Sequence, residues 1–199
     1  MGDGARREPD VTMGKLLLTE YQTVKDEQKA RIGFRDNLLY VTLAAVAAVS
    51  AAAAQTGRVP MLLALPPVCT ILGWTYLVND EKISAIGAYV RDDLGPRLAT
   101  LAALPAEGGQ PPAEVFGWET AHRRDVRRRS RKAIQCAVDL LAFCVVPLAG
   151  LCVYWVAGEG EGGGLLLAVS VAEALVTGVL GWQVVSYARP LVRRGAAAG

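Results

Sequence analysis

The sequence predicts an all-α membrane protein: four transmembrane helices paired as two hairpins, with amphipathic helices on the cytoplasmic side. Three observations predict it. The 199 residues are 52% hydrophobic, and the apolar residues gather into four blocks while the charged 20% lie almost entirely between them. Such segregation is the mark of lipid as solvent. The blocks 38–54, 59–78, 133–157 and 165–188 match the roughly 17–25 residues that a helix needs to cross a bilayer core. Lys and Arg are distributed one-sidedly: seven before the first block, one in the first turn, ten in the central segment, none in the second turn and three in the tail. Twenty of the 21 thus fall on one side of a four-span arrangement, which by the positive-inside rule is the cytoplasm. The expected location is the cytoplasmic (inner) membrane, with both termini cytoplasmic.

Residues 1–12 are polar and Gly-rich and read as a disordered N-terminus. From 13 to 37 good helix formers follow without Pro, with Leu17, Tyr21, Val24 and Gln28 recurring on one face and alternating acids and bases on the other. This juxtamembrane helix is suited to a membrane surface or a partner helix, or to a solvated extension of the first span. The span itself, 38–54, is short and rich in Ala, which allows close helix approach. Gln55–Arg58 is a tight turn. The second span, 59–78, contains Pro66-Pro67, expected to kink it, and places Trp74 and Tyr76 near the far interface.

The central segment, 79–132, opens with Ile83, Ile86, Val90 and Leu94 in one apolar stripe. This predicts an amphipathic helix over 80–95, ended by Gly95-Pro96. The hinge 106–112 and the basic cluster 122–132 complete the segment, which is too short and broken to bury a core of its own. The third span, 133–157, leads through a Gly-rich turn to the fourth, 165–188, which Arg189-Pro190 is expected to end. Ile71-Leu-Gly-Trp74 and Val179-Leu-Gly-Trp182 occupy corresponding places in the two hairpins, a faint sign of parallel repeats.

Two carboxylates fall inside spans, and intramembrane acids are functional candidates because they are costly. At 1.5 Å per residue, Asp139 and Glu173 are separated by about 9 Å of depth, too far for a shared-proton pair. Thr42 and Trp182 come out near Asp139, and Ser50 and Thr70 level with Glu173. Gln135 and Asp139 belong to one polar stripe of the third span; Ser170, Glu173 and Thr177 form another on the fourth. Both should face the bundle interior, as a cation path or as interhelical hydrogen-bond glue. Arg123, Arg124, Arg127, Arg128, Arg129, Arg131 and Lys132 form a cluster suited to anionic lipid headgroups. Net charge is only +2, and the cluster lacks interleaved aromatics, so nucleic acid is not an expected partner.

His122 is the single His and has no Cys beside it, so no metal site is expected. The four Cys all lie in apolar blocks without CxxC spacing and read as small packing residues. No nucleotide-binding loop, nucleophile elbow or zinc-protease helix is present, and neither enzymatic activity nor a cofactor is expected.

The stretch Glu20-Tyr21…Lys25-x-Glu27-Gln28-x-x-Arg31-Ile32-x-x-Arg35-Asp36, with Lys82-Ile83-Ser84-x-Ile86-Gly87-x-Tyr89 and Gly117-Trp118-Glu119, resembles uncharacterised small multi-pass membrane proteins of actinobacterial type. The resemblance covers about half of the chain and implies membrane location, with no activity attached. The sequence thus points to a non-enzymatic adaptor or effector working through its cytoplasmic segments, bound to a protein partner or to further copies of itself. The alternative is a small oligomeric channel or transporter using Asp139 and Glu173.

Overall fold

The computed structural model describes residues 12–102, 128–157 and 163–194. The hinge 106–112 and Arg123, Arg124 and Arg127 lie outside them. The described chain is all-helical. Helix α1 (Met13–Thr56) is followed by a 3-10 turn (Val59–Ala64), α2 (Leu65–Tyr89), a π turn (Val90–Leu94) and α3 (Gly95–Ala102). After the central segment come α4 (Arg128–Leu140), a second π turn (Leu141–Val145), α5 (Val146–Val156) and α6 (Gly164–Arg194). Among the described residues four helical stretches are long and apolar enough to cross a membrane: Met13–Thr56, Val59–Leu101, Lys132–Val156 and Gly164–Ala188.

Large apolar side chains point away from the protein along these stretches: Ile71 is 67% exposed, Leu165 79% and Val156 86%. Exposed apolar surface on that scale is what lipid, not water, accommodates.

Several boundaries differ from the sequence expectation, mostly at proline. The juxtamembrane helix runs into the first span as one continuous helix, α1, as the extension reading expected. It ends at Gly57, whose φ of +66° supplies the left-handed residue that closes a helix C-terminus without a Cβ penalty. Pro66-Pro67 does not kink a helix midway. The pair falls in the first turn of α2, where the missing N–H groups would be unpaired in any case.

Gly95-Pro96 does not end the amphipathic helix. The N–H of Gly95 bonds the carbonyl of Val90, five residues back, and the helix resumes as α3. The same device precedes Pro147, where the Val146 N–H bonds the Leu141 carbonyl. A proline ring clashes with the carbonyl four residues earlier, and one widened turn moves that carbonyl aside. Nor does Arg189-Pro190 stop α6, which continues to Arg194.

The chain divides into two compact units, residues 1–32 with 82–124 and residues 33–81 with 125–199. In the first, Leu17, Leu94 and Leu98 form a small core, with Tyr21, Tyr89 and Leu101 packed against it. The central segment therefore does contribute to a core, by sharing one with the N-terminal helix. The Tyr89 hydroxyl donates to the Glu20 carboxylate, and the Gln28 amide donates to the Ile83 carbonyl at 3.4 Å. The stripes read from sequence on both segments are the faces that meet.

In the second unit the core is Leu38, Tyr76, Leu77, Ala142, Phe143, Cys144, Leu180 and Val184. Gly73 sits where a Cβ would lie 2.8 Å from Leu180 Cδ2 and 2.9 Å from Phe143 Cγ, so α2 approaches its neighbours as closely as a glycine permits. In both Leu-Gly-Trp motifs the glycine packs inward while the tryptophan is exposed, 43% at Trp74 and 64% at Trp182.

Candidate functional site

The polar side chains of the second unit's helices collect on the faces that α2, α4 and α6 turn toward one another. On α4 the i, i+4 spacing of Gln135 and Asp139 puts both on one face. On α2 the same spacing aligns Tyr76 with Asp80. Asp139 is 8% exposed. The Tyr76 hydroxyl is hydrogen-bonded to its carboxylate, and Gln135 Nε2 donates to the Tyr76 oxygen at 3.1 Å. The other Asp139 oxygen, Oδ1, is buried without a hydrogen-bond partner.

Asp80 lies at the margin of this group. Its carboxylate takes a hydrogen bond from Arg35 Nη1 at 2.9 Å, with both side chains about four-fifths buried (21% and 22% exposed). Burial opposes the Arg35 charge, but the hydrogen bonds to Asp80 and Asp36 outweigh it and hold the guanidinium above its ordinary value. The Tyr187 hydroxyl donates to the Asp80 carbonyl at 3.4 Å, which ties α6 to α2 at the same level.

Further along α6, Thr177 is fully buried and shares a hydrogen bond of 3.2 Å with Thr70 of α2. Ser170 is also buried, at 6% exposure. Glu173, one turn from Thr177, is half-buried, and its Oε2 has no hydrogen-bond partner. The structure thus turns both polar stripes inward. It joins Gln135 to Asp139 through Tyr76, and gives Thr177 a partner on α2.

Of the neighbours expected from helix depth, Thr70 bonds Thr177, one turn from Glu173. Thr42 spends its hydroxyl on the Leu38 carbonyl at 2.8 Å, Trp182 points outward, and Ser50 lines an apolar crevice. Of the proposed lipid-contacting cations, Arg128, Arg129 and Arg131 have described backbone on α4 only. Lys132 lines a small cavity with Asp80 and Asp139.

Sequence reasoning missed Tyr76 and the Arg35–Asp80 pair. Tyr76, expected with Trp74 near an interface, turns into the bundle: it is 6% exposed, with its ring 5.1 Å from that of Phe143. The signal was available: residues two apart lie on nearly opposite sides of a helix, so Trp74 and Tyr76 cannot both face lipid. The Arg35–Asp80 pair had none, because it depends on the register between two helices.

Among the described residues no cluster of three or more His, Cys, Asp or Glu is placed to hold a metal ion. Cys69 and Cys144 are buried, Cys136 is half-buried, and Cys152 is exposed. Four apolar helices of this length define the class as compatible with a multi-pass membrane protein. Comparison with protein-family models, curated proteins and solved structures gives no match.

Proposed function

We propose that the chain is a multi-pass protein of the cytoplasmic membrane that acts without catalysis, as an adaptor or effector, through the helical unit built from its N-terminal helix and central segment. The observation that carries this reading is the core of that unit. Leu17 meets Leu94 and Leu98 across a long stretch of sequence. Two polar segments that served only as linkers would have no reason to fold together.

The unit also keeps apolar side chains uncovered beside its core. Met13 is 64% exposed, and Leu16 and Leu18 are each 53% exposed. Charges on the same helix are mostly used within it, as in the Arg31–Glu27 pair at 2.6 Å. Such pairs contribute little to stability but keep the helix soluble.

The test is photo-crosslinking in native membranes from Leu16 and Leu18, with native mass readout of subunit count. A defined protein partner, or a fixed number of copies joined through these positions, supports the adaptor reading. A protein that stays monomeric and crosslinks to nothing overturns it.

A further inference from the structure

Beside Asp139 lies a cavity of about 60 Å³, bounded by α2, α4 and α6. It has room for a few waters, since one water needs about 10–15 Å³ of such volume. Three facts about it bear on a ligand. Its deepest acid, Asp139, is more than nine-tenths buried and has an oxygen, Oδ1, without a partner. A carboxylate oxygen in that state lacks a donor or a cation, and burial makes the lack costly.

The hydrogen bonds around Asp139 are also directional. Gln135 donates to the Tyr76 oxygen, which leaves the phenolic proton for Asp139. That arrangement gives one carboxylate oxygen a donor and leaves the other, Oδ1, without one. Finally, the nearby Arg35 guanidinium bonds Asp80 and Asp36 and not Oδ1.

We propose that this cavity binds one small monovalent cation, a hydrated proton or an alkali ion, on the Asp139 carboxylate. Size and charge select it. A divalent ion wants several carboxylates; here one of the two acids is already ion-paired, and the Lys132 ammonium lines the same space. An organic cation exceeds the volume. If the ligand is a proton, hydronium transfers it to Oδ1, leaving a neutral carboxyl and one water. If it is an alkali ion, Oδ1, the Tyr76 oxygen and cavity waters supply hard oxygen ligands. The groups that face Asp139 and set its response are Arg35 from α1, Tyr76 and Asp80 from α2, Lys132 and Cys136 from α4, and Tyr187 from α6. The site does not depend on the adaptor reading, because it needs no partner and its test involves none.

The test is infrared difference spectroscopy of the full chain in lipid nanodiscs, following the carboxyl C=O stretch while pH is stepped and while sodium replaces choline at constant ionic strength. A titrating band is expected that vanishes in Asp139→Asn, survives in Glu173→Gln and moves to higher pH in Tyr76→Phe, which removes the donor while keeping the acid. A midpoint moved to lower pH by sodium identifies the alkali ion as occupant, and one indifferent to sodium identifies the proton. A spectrum without a titrating carboxyl band, or with one that persists in Asp139→Asn and ignores Tyr76→Phe, overturns the proposal.

Discussion

Gly73 and Gly33 are both helical glycines, but they have opposite surroundings. An Ala at Gly33 would meet nothing within 4 Å, whereas at Gly73 it would press on Leu180 and Phe143. Gly33→Ala should therefore stabilise by about 1 kcal/mol through helix propensity. Gly73→Ala should cost about 1–3 kcal/mol by overpacking, despite the same propensity gain. Reversible unfolding in mixed micelles checks both, and equal stabilisation at the two sites would refute the packing account. A second prediction concerns Tyr89. Its hydrogen bond to the Glu20 carboxylate, then loss of solvation and the nearby negative charge, raise its pKa above the ordinary value. The neutral phenol is thus the form the fold favours. The contact's contribution is complete below about pH 10, the usual tyrosine value, and is lost as pH rises through the higher folded value. In an ultraviolet titration of tyrosinate, Glu20→Gln should remove one group from the late-ionising fraction, and an unchanged late fraction would refute the contact.

At the scale of elements, proline explains most of what the sequence left illegible. The apolar blocks and stripes were readable because periodicity is local: Leu17, Tyr21 and Leu94 pack on the faces their spacing implied. Helix ends were not, since a proline in water stops a helix while here one widened turn accommodates it, at Val90–Leu94 and again at Leu141–Val145. The first of these has little slack. A Cβ on Gly95 would lie 2.9 Å from the Val90 carbonyl oxygen, the acceptor of the widened turn's own hydrogen bond. Gly95→Ala should therefore loosen α3 even though Ala is the better helix former, with at least a tenfold rise in amide hydrogen exchange over Leu98–Leu101. Unchanged exchange there would mean that the turn adapts freely. The candidate site was legible to the same extent. Asp139 and Glu173 stood out as acids within apolar runs, whereas the roles of Tyr76 and Asp80 depend on how separate helices are set in register.

For the whole molecule, the one-sided distribution of Lys and Arg predicts which loops meet which compartment. In intact cells an impermeant thiol reagent should label Cys placed at Arg58 and leave Cys placed at Lys25 unlabelled until the membrane is opened; the reverse pattern would invert the topology. The core shared by Leu17, Leu94 and Leu98 has a consequence for biogenesis. Leu17 leaves the ribosome 77 residues before Leu94, a delay on the order of 4–15 s at ordinary rates of translation. Two apolar helices are made in that interval. Until the second is in place, the nascent N-terminal helix has its apolar face and nothing to close it on. If the second span brings the chain back to the side it left, as the Lys and Arg distribution predicts, the N-terminal helix gains its packing partner only after both spans are made.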